Sequence, residues 1–121
     1  MKIAIPANGS SSESGVCNAF GRAPYFMIHD TETNKTVYLE NEATRSPDGA
    51  GVRASQSLVN ANIDVVLTPR CGGNVLRVLD AAKVKIYKTE GESLKDNILA
   101  YKDGKLSVLD EIQAGLHGRR S

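Results

Sequence analysis

The chain is expected to fold as an α/β domain on one five-stranded mixed sheet, with its elements in the order β-β-β-α-β-α-β-α and helices flanking the sheet. Three observations carry that expectation. The first third holds short runs of β-branched and aromatic residues without helical period. From Val52 onward, segments with helical spacing alternate with short apolar strands, the pattern of right-handed βαβ crossovers. A length of 121 residues suffices for one hydrophobic core and is short for two.

Each element follows from its residues. Lys2 to Pro6 is a short apolar strand, and Ala7 to Gly21, rich in Ser, Gly and Asn, is a long loop best described as a flexible lid. Tyr25 to His29 and Thr36 to Glu40 are antiparallel strands, because Asp30 to Lys35 between them is of hairpin length. Pro47-Asp48-Gly49-Ala50-Gly51 punctuates the chain before a helix running to about Asn62, with Val52, Leu58 and Val59 on its buried stripe. The apolar run Ile63 to Leu67 is a buried strand. The helix after it shows Val75, Val78, Leu79 and Ala82 at helical spacing, and Val84 to Lys88 alternates as an edge strand does, with Lys83, Lys85 and Lys88 discouraging further pairing. Ser93 and Asp96 form a capping box for a last helix carrying Leu94, Ile98 and Tyr101, which Asp103-Gly104 stops. Lys105 to Leu109 is a short additional strand at most. The domain therefore spans residues 1–109, and residues 110–121 read as a mobile tail.

Composition narrows the function classes. With 15 Lys and Arg against 14 Asp and Glu, the formal net charge of +1 creates no global basic field, so neither nucleic acid nor a membrane surface is an expected partner. Tryptophan is absent, and no apolar run approaches the roughly 18 residues of a transmembrane helix. The apolar start, Met1 to Pro6, is too short for a signal peptide, and a cytoplasmic location is expected. There, two cysteines read as free thiols, metal ligands or redox groups before they read as a structural disulfide.

Chemistry concentrates in Thr68-Pro69-Arg70-Cys71-Gly72-Gly73-Asn74, a tight strand-to-helix turn with a thiol, a guanidinium and two glycines. Helix starts present unpaired N–H groups, and glycines let a ligand approach them, so an anion or a soft metal fits the turn. The helix dipole and Arg70 are expected to lower the pKa of Cys71. Packing beneath the helix is the alternative use of Cys71, and Asn74 is expected to complete the helix start. If the first and fourth strands are parallel neighbours, their carboxyl ends form a crevice that gathers Cys17, Arg22, Arg45, Arg70 and the turn at Thr89 to Glu92. Cys17 is a ligand or an incidental loop residue, Arg22 a ligand contact or half of a surface ion pair, and a Cys17–Cys71 disulfide stays open. His29 falls at the opposite pole and His117 in the tail, so neither completes a metal site with the cysteines.

Met1-Lys2-Ile3-Ala4-Ile5-Pro6, Phe20-Gly21-Arg22-Ala23-Pro24-Tyr25-Phe26, and Gly49-Ala50-Gly51 leading to Ile63-Asp64-Val65-Val66-Leu67 and the glycine turn together resemble the dinitrogenase iron-molybdenum cofactor biosynthesis family, small nitrogenase-cofactor carrier domains and their relatives. The resemblance covers roughly the first hundred residues. It implies a ribonuclease H-like fold and a role in binding or handing over iron-sulfur or iron-molybdenum clusters. Family members often carry His just before Phe-Gly-Arg. Here that position is Ala19, which leaves Cys17 as the nearby substitute.

The resulting expectation is a non-catalytic carrier for an iron-sulfur or iron-molybdenum-type cluster in metallocluster biosynthesis. Its site comprises Cys17, Arg22, Arg70, Cys71, Gly72, Gly73 and Asn74, with Cys71 and Cys17 as metal ligands. The partners are the cluster and a metalloprotein that donates or accepts it, and the protein is a monomer or homodimer. The alternative is a thiol redox or sensing module using Cys17 and Cys71. A nuclease is disfavoured, because two-metal hydrolysis needs clustered carboxylates and the first strand has none.

Overall fold

The computed structural model describes residues 1–109. Strands β1 (Lys2–Ala7), β2 (Tyr25–Asp30), β3 (Lys35–Glu40), β4 (Val65–Thr68) and β5 (Lys85–Lys88) form one sheet in the order β3-β2-β1-β4-β5. The β1-β2 and β2-β3 pairs are antiparallel; β1-β4 and β4-β5 are parallel. Helices α1 (Ala50–Asn60), α2 (Gly73–Ala81) and α3 (Leu94–Lys102) complete the α/β architecture, with 3-10 turns at Phe20–Arg22 and Glu42–Arg45.

β1 and β4 lie at the centre because both of their faces are apolar. Ala4 and Val66 join the core beneath α1 and α2 with Phe26, Leu58 and Leu79, whereas Ile3, Ile5, Val65 and Leu67 pack on the other side with Leu94 and Ile98 of α3. A strand buried on both sides needs the continuous apolar run these segments carry.

The helix stripes follow the expectation at Leu58, Val75 and Leu79 and depart from it elsewhere. On α1 the buried residues are Ala50, Ala54, Ser55 and Leu58; Val52 and Val59 are half-buried. On α2 they are Val75, Leu76 and Leu79, with Val78 half-buried and Ala82 exposed. The N-cap of each helix is a glycine, and α1 turns its small residues Ala50, Ala54 and Ser55 inward. α3 is capped by Ser93, whose Oγ accepts from the Asp96 N–H at 3.1 Å, half of the expected capping box. Tyr101 is half-buried and meets Tyr87 edge-on at 5.1 Å between ring centroids.

The outer edge of β5 is covered rather than free. Lys88 N–H donates to Ser107 O and Leu109 N–H to Ile86 O, each at 2.8 Å, around an antiparallel bridge between Tyr87 and Val108. Lys105 to Leu109 thus supplies a bridge and not a full strand. The loop after β1 is also tied down: Asn8 N–H donates to Gly15 O at 3.0 Å, Val16 N–H to Glu92 O at 2.8 Å and Cys17 N–H to Pro6 O at 2.8 Å. Residues 8–17 thus fold back onto β1 and the turn before α3 in place of a free lid, and only Asn18 to Gly21 reach the cleft described below. No helix among the described residues is long and apolar enough to cross a membrane. The expected tail, residues 110–121 with His117, lies outside the described residues.

Candidate functional site

Two helix starts converge on one cleft. Where the chain leaves β4, Thr68 Oγ1 donates to Arg70 O at 3.0 Å and closes the turn that delivers Cys71, Gly72 and Gly73 to the start of α2. Beside it lies the start of α1, entered through Gly49 at φ 68°, a left-handed conformation that glycine adopts without strain. A cleft of about 620 Å³ opens between them, lined by Asn18 to Arg22, Gly49 to Val52 and Arg70 to Val75.

The approach depends on missing side chains. A Cβ on Gly21 would lie 2.6 Å from Gly51 N and 2.7 Å from Gly51 Cα. A Cβ on Gly51 would lie 2.7 Å from Val75 Cγ2. The Phe20–Arg22 turn therefore meets the start of α1 backbone to backbone, and the start of α1 meets α2 through the Val75 side chain, with Phe20 buried and tilted against Phe26 at 5.1 Å between ring centroids.

Neither start has a side-chain cap. The N-caps of α1 and α2 are Gly49 and Gly72, and the first helical bonds are Arg53 N–H to Gly49 O at 3.1 Å and Leu76 N–H to Gly72 O at 3.0 Å. The N–H groups ahead of those bonds are the orphan donors of a helix start, and both dipoles place partial positive charge on the cleft. Arg22 and Arg70 add two full charges, and no carboxylate lines the cleft. The arrangement suits an anion.

Arg22 is held in place. Its Nη1 donates to Thr44 O at 3.1 Å and Ser46 O at 3.0 Å, the carbonyls at the end of the Glu42–Arg45 turn. It is not the surface ion pair that was its alternative reading, and its Nε and Nη2 hydrogens remain for other contacts. Asn41 anchors the same turn from within: its Nδ2 donates to Ala23 O at 2.9 Å and Gly21 O at 3.2 Å, and its Oδ1 accepts from Ala43 N–H at 3.1 Å.

Four expectations need correction. Cys71 is 8% exposed and part of the core under α1 and α2, and burial pushes its thiol up to about 11 instead of lowering it. The residue precedes the N-cap, where the dipole is weaker, and loss of water around a thiolate outweighs it. Asn74 does not cap α2; it lies within the first turn and accepts from Arg77 Nη1 at 2.9 Å. Arg45 is not on the cleft and stands 3.9 Å from Glu40 instead. The Thr89 to Glu92 turn belongs to the α3 side, with Glu90 N–H donating to Asn97 Oδ1 at 2.8 Å.

Of the expected site residues, the structure brings Arg22, Arg70, Cys71, Gly72, Gly73 and Asn74 to one cleft. Cys17 is half-buried one residue before the lining begins, its Sγ 3.7 Å from Ala19 O, and both cysteines are free. Low-pKa, accessible thiolate is what a redox pair needs, and Cys71 supplies neither property. Among the described residues no group of three or more His, Cys, Asp or Glu is placed to hold a metal ion. The expected residue set omits Gly21 and Gly49 to Val52. The available signal was the glycine pair around Ala50 at the head of a helical pattern, with Gly49 at the N-cap position in place of a side chain able to cap.

Comparison with known proteins agrees with this fold. The apo orange protein of Desulfovibrio gigas superposes with a TM-score of 0.84 at 29% identity, covering 88% of this chain and 91% of that one. A Thermotoga protein of the DUF35 family, provisionally assigned as NifB, superposes with a TM-score of 0.78 at 35% identity, covering 89% and 92%. An uncharacterised Methanocaldococcus jannaschii protein is 26% identical over 114 residues, 91% of this chain and 92% of its own. The family profile described as dinitrogenase iron-molybdenum cofactor matches residues 1–104, and the chain belongs to that family.

Proposed function

We propose that the protein is a non-catalytic carrier that holds an anionic metal-sulfur cluster, of the iron-sulfur or iron-molybdenum type, in the cleft between the starts of α1 and α2. The observation that carries this reading is the pairing of two uncapped helix starts with Arg22 and Arg70 around a cleft free of carboxylates. Clusters bearing sulfide and thiolate are commonly anionic, and backbone N–H groups and guanidinium forks are the donors that bind such charge. Gly72, Gly73 and Asn74 offer the backbone of α2, and Gly49 to Val52 that of α1. Cys71 is the one thiol lining the cleft and Cys17 the one beside it. We assign them as supplementary ligands, since a thiol at about 11 must give up its proton to the metal before it binds. The sheet order, an antiparallel meander joined to parallel crossovers, supports assignment of the fold as ribonuclease H-like. Nuclease chemistry does not follow from the fold, because the two-metal reaction needs acids that the cleft lining lacks. On this reading the protein works in the cytoplasm, as monomer or homodimer, between a cluster donor and an accepting metalloprotein.

The test is metal and acid-labile sulfide content, with an absorption spectrum, on anaerobic protein before and after incubation with iron, sulfide and molybdate. Stoichiometric uptake that collapses in an Arg22→Glu, Arg70→Glu double variant and persists in Cys71→Ala supports a charge-held cargo. Loss in Cys71→Ala alone would transfer the anchor to the thiol, and no uptake by the wild type sinks the carrier reading.

A further inference from the structure

The other face of the sheet carries an unexplained group. His29 is 8% exposed on β2, in register with Thr36 of β3, and its Nδ1 lies 2.9 Å from Thr36 Oγ1. Its Nε2 is buried with no hydrogen-bond partner, the one such side-chain atom among the described residues. A buried polar atom without a partner costs about 1–3 kcal/mol, and native structures keep few of them without a use. His29 also borders a cavity of about 400 Å³ whose other walls include Met27, Tyr38, Lys95 and Ile98. This cavity lies on the α3 side, with Met27 and Ile98 in the core cluster opposite the one that holds Phe20 and Cys71.

We propose that this cavity is a second ligand site, selective for a small carboxylate with an apolar or aromatic body. Burial, with Lys102 acting in the same direction, lowers the pKa of His29 against the smaller opposing effects of Asn34 and Asp30, so the ring is neutral near pH 7. We assign Thr36 Oγ1–H as the donor to Nδ1, which places the hydrogen of the neutral ring on Nε2 and offers a donor there. Lys95 brings a full positive charge to the same cavity, and Met27, Tyr38 and Ile98 provide apolar wall. An apolar pocket with a few convergent polar groups is the usual form of a small-molecule site. The donor and the ammonium select an anionic head, and the pocket size selects a short body. Nε2 sits beneath the wall, so binding requires a flexible side chain to turn aside. Met27 and Lys95 are unbranched and able to do so. This site is independent of cargo in the cleft between α1 and α2.

Benzoate and hexanoate, each titrated into the whole chain and followed by amide and imidazole NMR, test the proposal. The expected result is saturable shifts at millimolar ligand confined to Met27, His29, Thr36 and Ile98, including the His29 ring, with affinity at least tenfold weaker in Lys95→Glu and for benzyl alcohol in place of benzoate. Lys95 is exposed, so Lys95→Glu leaves the fold intact, which the unshifted remainder of the spectrum verifies. Absence of saturable shifts around His29, or equal binding by Lys95→Glu, overturns the proposal.

Discussion

Replacing Gly72 by Asp separates helix capping from cargo binding at one atom-scale position. Gly72 is the N-cap of α2 at φ −75° and ψ 167°, extended backbone that any residue adopts, and a Cβ there would meet no atom within 4 Å. Asp fits without strain, and its carboxylate accepts from the free first-turn N–H groups. Relative to glycine the cap is worth a few tenths of a kcal/mol. The dipole interaction adds about 0.3–1 kcal/mol. Together they raise Tm by roughly 3–8 °C for a domain of this size. The same carboxylate then stands in the cleft. At about 5 Å from a bound anion and an effective dielectric of about 20–40, each unit of anionic charge is repelled by about 1.7–3.3 kcal/mol, or roughly 15- to 250-fold in affinity. Thermal unfolding by circular dichroism and cluster uptake measured on the same preparations read both effects, and Gly72→Asn supplies the cap without the charge. Stabilisation without loss of uptake would show that the cargo does not rest on α2, and loss of stability would show that the first-turn N–H groups were never free.

Two further outcomes follow from the same geometry. Cys71, with its thiol raised from 9.0 to about 11 by burial, is protonated in both folded and unfolded chains below pH 9, so its contribution to stability is complete there. Between pH 9 and 11 only the unfolded chain loses the proton, and stability falls by about 2–3 kcal/mol before levelling above pH 11. The difference between Cys17→Ser and Cys17→Ser, Cys71→Ala in urea unfolding isolates this effect from Tyr38 and Tyr101, whose phenols are also raised. Iodoacetamide alkylation of Cys71 near pH 7 that matches an exposed cysteine would contradict it. Gly21→Ala places a Cβ against the backbone of Gly51 and costs about 1–3 kcal/mol through overpacking, whereas Gly72→Ala, in open space, costs under about 1 kcal/mol from its weaker cap alone. Equal costs in urea unfolding would mean that the turn and α1 do not meet as described.

The strands and the second helix start were legible because local residues determine them. β1 and β4 are apolar runs that only a doubly covered strand tolerates, and the Gly72-Gly73 pair interrupts strand and helix periods at once. The half of the site at α1 was not legible, since Gly49, Ala50 and Gly51 carry no charge, thiol or hydroxyl. Their meaning arises from the Gly21–Gly51 and Gly51–Val75 approaches, which join segments 30 and 24 residues apart in sequence. Burial misled in the same way at Cys71. Arg70 and the helix start are visible as its neighbours, but the core that covers it comes from other elements. Arg45 read as a rim cation because its distance from the turn was known only by topology; Glu40, one strand end away, takes it. Charge and turn chemistry are local properties, whereas desolvation and contact are tertiary ones.

This distinction bears on how a carrier lets go. A cargo anchored by several thiolates leaves only through ligand exchange at metal, with each sulfur deprotonated on binding and reprotonated on release. Cys71 favours the protonated form, and Cys17 stands just outside the lining, so on the proposed reading a metal-sulfur bond would form against the preference of the buried thiol. N–H groups and guanidinium forks impose no such proton cost, and their grip falls off as water enters the cleft. The two arginines divide that task. On the proposed reading Arg22, fixed by the carbonyls of Thr44 and Ser46, would present a preset direction to the cargo, while Arg70, exposed on the turn, makes no side-chain hydrogen bond or ion pair among the described residues and would follow it. A site with one tethered cation, one untethered cation and two helix starts favours retention by charge and release to a partner that offers true ligands. That is the energetic order a transfer protein requires, since the acceptor must bind the cluster more tightly than the carrier does.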